Sequence, residues 1–146
     1  MAQKCPFCTQ PDIKERTILK NKYVFAFPTN IPIVPGHVLI TPVRHVATFA
    51  ETTLNERKEL FAMMAKLQVA LKREFKAQGF NFAWNEGPVA GQTVMHFHLH
   101  LLPRKKGDEG VMKYEPREFL YRPGSRETSP HNELLAIAER IKKQIK

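Results

Sequence analysis

The 146-residue chain has only two cysteines, one tryptophan, and 14 Asp+Glu against 23 Lys+Arg. Two cysteines are too few for a disulfide scaffold, which leaves the Cys5-Pro6-Phe7-Cys8 spacing to metal or redox chemistry. No apolar run approaches the ~18 residues that a membrane-spanning helix needs. The opening MAQKCPFCTQ lacks the apolar stretch of a secretory signal, so the expectation is a cytoplasmic protein without a membrane partner. Repeats and low-complexity tracts are also lacking. The length suits one core, and residues 1–146 are expected to form a single domain. The shortage of acid leaves a formal net charge of +9, which favours acidic partners such as nucleic acid or phosphorylated small molecules.

What is present has a clear order. Alternating apolar residues predict strands at about Tyr23 to Phe27 and His37 to Thr41, joined by a stiff loop containing Pro28, Pro32, Pro35 and Gly36. Thr53 and Glu56 form a capping-box signature. Leu60, Met64, Leu67, Leu71 and Phe75 then recur at helical spacing, predicting a helix over about Leu54 to Gln78 that stops at Gly79. Phe80 to Trp84 reads as a third strand and Thr93 to Pro103 as a fourth. Ser129 and Pro130 predict the N-cap and first residue of a C-terminal helix with an apolar stripe of Leu134, Ile137, Ala138, Ile141 and Ile145. Strands and helices in this order give an α+β fold, with helices on one side of an antiparallel sheet.

The fourth strand carries the most specific pattern. In the string HFHLHLL, the period of two places His96, His98 and His100 on one face and Phe97, Leu99 and Leu101 on the other. Same-face neighbours about 6.8 Å apart can meet one phosphate-sized group or chelate one metal. The preceding loop Gly87-Pro88-Val89-Ala90-Gly91-Gln92-Thr93 offers close backbone approach and two neutral donors, which suits an oxyanion. A neutral imidazole is a competent nucleophile toward phosphorus, and the remaining demand is electrostatic.

The stretch NEGPVAGQTVMHFHLHLLPRKKGD, Asn85 to Asp108, resembles the signature of the histidine triad (HIT) superfamily, and PIVPGHVLITP, Pro32 to Pro42, resembles its second block. The run GPVAGQTV with the triad and LPRKKGD is similar to the Fhit branch, whose members split dinucleoside polyphosphates. The resemblance implies a sheet of about five strands with a long helix and a C-terminal helix packed on it. The HIT core would occupy about residues 4–108, with an extension over 109–146. It further implies that His98 is the nucleophile that becomes nucleotidylated, with His100 and His37 flanking it. Gln92 and Thr93 would bind phosphate oxygens, and Asn85 would lie near the scissile phosphate or ribose. Thr29 or Asn30 would contact the ribose, where the family has an acidic or amide side chain. A homodimer is expected on the same grounds.

For Cys5 and Cys8, a redox pair lacks the strand-to-helix setting of thioredoxin-like motifs, and free thiols remain an alternative. Two thiolates make half of a tetrahedral zinc site that His45 and His96 complete as Cys₂His₂. Zinc-containing HIT proteins show this pattern, with the first triad histidine as a ligand. The rival functions are a phosphoramidate hydrolase or nucleotidyl transferase, a catalytic zinc on His96 and His98, and a non-catalytic nucleotide or nucleic-acid module using Phe82 and Trp84. The dispersed basic residues and the lack of nucleic-acid motifs weigh against nucleic acid as a partner. Arg44, Arg104, Lys105 and Lys106 are candidates for the rim of the site, and Tyr114, Arg117, Tyr121, Arg122 and Arg126 for a segment that folds across it.

Overall fold

A computed structural model describes residues 4–108 and 128–146. Two short helices, α1 (Pro6–Thr9) and α2 (Pro11–Glu15), come first. Strands β1 (Leu19–Lys20), β2 (Val24–Pro28) and β3 (Val38–Pro42) lead to the long helix α3 (Leu54–Phe75). Strands β4 (Gly79–Ala83) and β5 (Leu99–Arg104) and the helix α4 (His131–Lys142) complete the described residues. The five strands form one antiparallel sheet in the order β1-β2-β3-β5-β4. No helix among the described residues is long and apolar enough to cross a membrane.

The apolar pattern places the layers as expected. Val24, Ala26, Val38, Ile40, Leu99 and Leu101 point from the sheet into a core with Leu60, Leu67 and Leu71 of α3 and Ala138 and Ile141 of α4. Each fully buried leucine there contributes about 1.5–3 kcal/mol of transfer free energy. The opposite face is not bare: Phe25, Phe27 and Leu39 pack on Ile13 of α2 with Phe7 of α1. β2 is therefore buried on both faces. The two N-terminal helices are too short to show a periodicity, although each begins with a proline at its first position.

Several boundaries differ from the sequence reading, each for a local reason. Tyr23 and Val24 donate their N–H groups to Asn21 Oδ1, so the turn extends to Tyr23 and β2 begins at Val24. The same turn brings Leu19–Lys20 back onto β2, a two-residue strand that no pattern announces. α3 stops at Phe75 because Lys76, not Gly79, takes the left-handed C-cap with φ 56°, and its Nζ donates to the Arg73 carbonyl. Gly79 instead opens β4 opposite Arg104. Pro130 caps α4 in place of Ser129, whose N–H is taken by the Asn30 carbonyl at 2.7 Å.

The fourth predicted strand is shorter than expected. Residues 93–98 leave the ladder because the Phe97 N–H goes to the Val46 carbonyl and the Phe97 carbonyl accepts from Thr41 Oγ1. The alternation survives: Phe97 joins Leu99 and Leu101 in the core, so the intervening histidines face the other side.

Gly36 turns the β2–β3 loop into β3 with φ +87°, and a Cβ there would lie 2.7 Å from Phe75 and 2.9 Å from Pro103. We expect Gly36→Ala to cost about 3 kcal/mol, from overpacking and positive φ together. Urea unfolding that showed a change below about 0.5 kcal/mol would contradict this packing.

Glu56 closes the α3 capping box and also receives Arg44, at 2.9 and 3.0 Å. Burial pushes its carboxyl upward, but Arg44 and the Thr53 N–H outweigh that and hold it below the ordinary 4.5. A lowered folded-state pKa gives stability that is present above about 4.5 and is lost as pH falls through the folded value. Unfolding free energies of the wild type and Glu56→Gln should therefore converge below about pH 4.5. A gap of constant size across the acid range would refute the pairing.

Candidate active site

The site lies on the sheet face opposite α3, where the β2–β3 loop meets the start of β5. Its first histidine is set by the loop. His37 Nδ1 accepts the Ile33 N–H at 3.1 Å, so the ring proton is on Nε2, which donates to His100 Nδ1 at 2.9 Å. That direction leaves the His100 proton on its own Nε2. The chain Ile33 N–H, His37, His100 thus orients two rings with a defined polarity.

His98 is fixed from the other side. Its Nδ1 is 2.7 Å from the His96 carbonyl, an acceptor only, so Nδ1 carries the proton and Nε2 keeps the lone pair. Burial pushes its pKa down, which preserves the neutral ring that nucleophilic attack requires. The His100 ring stands edge-on to it with centroids 5.0 Å apart. Phe7 packs edge-on at 5.1 Å and also touches the His96 ring at 5.6 Å and the Phe27 ring at 5.2 Å. Phe7 escapes a sequence reading because the residue between two cysteines looks like filler; the one available signal is a large aromatic in so short a turn.

The cysteines and two histidines converge as expected from their chemistry. The ligand atoms of Cys5, Cys8, His45 and His96 all lie within 4.8 Å of one another. Sulfur to Nδ1 separations are 3.4 Å for Cys5–His96, 3.5 Å for Cys8–His96 and 3.6 Å for Cys8–His45, and the two Nδ1 atoms are 3.3 Å apart. A tetrahedral ion with metal–sulfur of about 2.3 Å and metal–nitrogen of about 2.05 Å needs about 3.6 Å between S and N and about 3.3 Å between two N atoms. The donor set fits. His96 Nε2 donates to the Pro42 carbonyl at 2.8 Å, which leaves Nδ1 unprotonated for a metal. Burial lowers the His96 pKa to about 4, which favours the neutral ligand form. Without a metal, burial and the Cys5 thiol raise Cys8 to about 11. His98 is outside this cluster.

The loop residues are placed unevenly. Gln92 is buried and uses both ends of its amide within the fold, accepting from the Gly87 N–H at 2.7 Å and donating to the Ala47 carbonyl at 2.9 Å. Thr93 is exposed, and Asn85 Nδ2 lies 3.5 Å from the Gly91 carbonyl. Thr29 is buried at the end of β2 with its N–H on the His37 carbonyl, whereas Asn30 is exposed. Two rim candidates are engaged elsewhere: Arg44 with Glu56 and Arg104 with Asp108 and Asn81. Lys105 and Lys106 are exposed beyond β5. Trp84 stacks on Phe49 and meets Phe97 edge-on, so it is partly structural. Tyr114, Arg117, Tyr121, Arg122 and Arg126 lie outside the described residues.

A HIT domain model matches residues 10–107. The bis(5'-adenosyl)-triphosphatase of Saccharomyces cerevisiae is 39% identical over 95 residues, covering 64% of this chain and 46% of that protein. The bis(5'-nucleosyl)-tetraphosphatase (asymmetrical) of Schizosaccharomyces pombe is 38% identical over 96 residues, covering 66% and 53%. The chain thus spans about half the length of these two curated relatives. A Zn-bound histidine triad family protein from Mycobacterium smegmatis superposes with a TM-score of 0.73 at 21% identity, covering 99% of this chain and 94% of that one, and so shares its fold. With the family match over most of its length and the triad arranged as described, this chain belongs to the HIT domain family.

Proposed function

We propose that the protein hydrolyses dinucleoside polyphosphates in two displacements through His98. The observation that carries the reading is the 2.7 Å contact from His98 Nδ1 to the His96 carbonyl, which commits the lone pair to Nε2. In the first step Nε2 attacks the α-phosphorus. A P–N bond forms, the P–O bond to the remaining polyphosphate breaks, and the electron pair leaves with that fragment. In the second step water displaces the nucleotide from His98, giving up a proton and regenerating the neutral ring. His100, with its proton on Nε2, donates to a phosphoryl or leaving oxygen, and His37 holds it in that tautomer. Thr93 and Gln92 bind phosphate oxygens, Gln92 after exchanging a loop hydrogen bond. Asn85 approaches the scissile phosphate, and Thr29 or Asn30 the ribose. The names of the two curated relatives support this substrate class.

The metal in the Cys5, Cys8, His45, His96 cluster is assigned as structural zinc. Held by these four residues, zinc would cross-link the N-terminal turn to the segment leading into β5 and would take no part in catalysis. A catalytic zinc on His96 and His98 is disfavoured because His98 is outside the cluster and spends Nδ1 on a carbonyl. Acid-quenched mass spectrometry of wild type with diadenosine tetraphosphate should show an adenylyl-histidine. His98→Ala should lose turnover by a factor of at least about 10³ while retaining one zinc per chain. Cys5→Ser should lose zinc and thermal stability. Loss of the metal in His98→Ala, or full activity in that variant, would defeat the nucleophile assignment.

The protein is further read as a cytoplasmic homodimer. Among the described residues β4 is an edge strand of the sheet, and it carries exposed Phe82 with Trp84 just beyond it. Such an edge pairs readily with a second copy. Light scattering should give twice the chain mass, and Phe82→Lys on this strand should shift it to monomer. A wild-type monomer at all concentrations would remove the dimer from this reading.

A further inference from the structure

Arg16 follows α2 and is a buried cation, 5% exposed, with no carboxylate in ion-pair contact among the described residues. Its Nε donates to the Pro28 carbonyl at 2.9 Å, the one side-chain hydrogen bond it makes there, and its guanidinium carbon lies 5.6 Å from the Phe27 ring centroid. A guanidinium has five N–H donors and is costly to bury without a counter-charge. Burial lowers its pKa, with Asp12 opposing from a distance. Capping one carbonyl does not require such a group.

The place where it sits gives it a task. Pro28 immediately precedes Thr29, the buried one of the two residues proposed above to meet the ribose. The carbonyl after it, that of Asn30, is held by the Ser129 N–H at 2.7 Å. Thr29 itself gives its N–H to the His37 carbonyl and accepts the Ile31 N–H on Oγ1 at 3.3 Å. The Thr29 hydroxyl proton has no acceptor among the described residues. Glu15, beside Arg16, pairs with His131 at 3.0 Å, so the two outer supports of this loop are tied to one another.

We propose that Arg16 is a positioning residue for the nucleoside end of the site, acting through Pro28 to hold Thr29 where it meets the ribose hydroxyls. This rests on the nucleotide hydrolase reading above and adds to it a residue on a different element. Because the effect passes through ribose contacts, it depends on whether the ligand has those hydroxyls. A purely structural role would affect all ligands alike.

The test uses the full-length wild type, Arg16→Met and Arg16→Lys with diadenosine tetraphosphate and its 2′,3′-dideoxy counterpart. Arg16→Met should raise KM for the ribose substrate about tenfold with kcat within about twofold. It should leave KM for the dideoxy substrate unchanged, and Arg16→Lys, which keeps a donor for Pro28, should recover part of the loss. An equal penalty on both substrates, or a fall in kcat alone, overturns the proposal. Should Arg16→Met not fold, Arg16→Gln takes its place with the same criterion. If the wild type turns over no nucleotide, the hydrolase reading fails. Calorimetric binding of AMP and 2′,3′-dideoxy-AMP then decides the Arg16 question separately: a loss confined to AMP supports it, and an equal loss or no binding overturns it.

Discussion

Burial of Phe97, Leu99 and Leu101 beneath α3 is the constraint from which the site follows. With those three side chains committed to the core, the histidines between them have one direction left, toward the far face of the sheet. The backbone of Phe97 is further pinned by Val46 and Thr41, so the segment has no freedom to slip by one residue. A slip would put imidazoles into the core and phenylalanine into the site. The polarity of each histidine is then decided by backbone atoms: the His96 carbonyl for His98, the Ile33 N–H for His37, and the Pro42 carbonyl for His96. None of these three settings depends on a charged side chain.

The Cys5, Cys8, His45, His96 cluster and the triad share His96. What joins them physically is Phe7, carried on the same turn as Cys5 and Cys8 and packed on the rings of His96 and His98. A turn of four residues has no core of its own and needs a tether to keep an aromatic ring in place. The four-ligand cluster is suited to that, and the ring in turn excludes water from one side of His98. The covering of the second sheet face by Ile13, Phe25, Phe27 and Leu39 starts from the same anchor.

The architecture was largely legible because long periodic segments announce themselves: α3 with its capping box, the hairpin around the proline loop, and the alternation from His96 to Leu101. The convergence of Cys5, Cys8, His45 and His96 was also readable, since a pair of thiols at this spacing limits what can complete a four-ligand set. Other features depended on distant partners. β1 is two residues long and follows from the turn that Asn21 closes, and Lys76 in the left-handed conformation ends α3 before the glycine expected to stop it, while Gly79 lies in β4 opposite Arg104. Gln92 reads as a free donor, yet Ala47, 45 positions away, takes its amide proton. Arg16 gave no signal at all, because an arginine near a helix end looks like surface until its burial is seen.

The formal charge of +9 invites the view that the protein attracts polyphosphate with a basic rim. Among the described residues, the placement of the arginines argues for something narrower. Arg44 is taken by Glu56, Arg104 by Asp108 and Arg140 by Glu74, while Arg57 lies over Phe49 and caps nearby carbonyls. Lys142 of α4 lies on the layer that packs against α3, on the opposite side of the sheet from the triad. Long-range attraction remains, but it is screened over about 8–10 Å at ordinary ionic strength and cannot discriminate one phosphate from the next. On the proposed hydrolase reading, discrimination comes from groups whose donors are oriented before the ligand arrives: imidazole N–H of fixed tautomer, a threonine hydroxyl and a glycine-rich loop. Such groups need no reorganisation as charge develops on the phosphoryl oxygens, and that is where electrostatic stabilisation of a transition state is most effective.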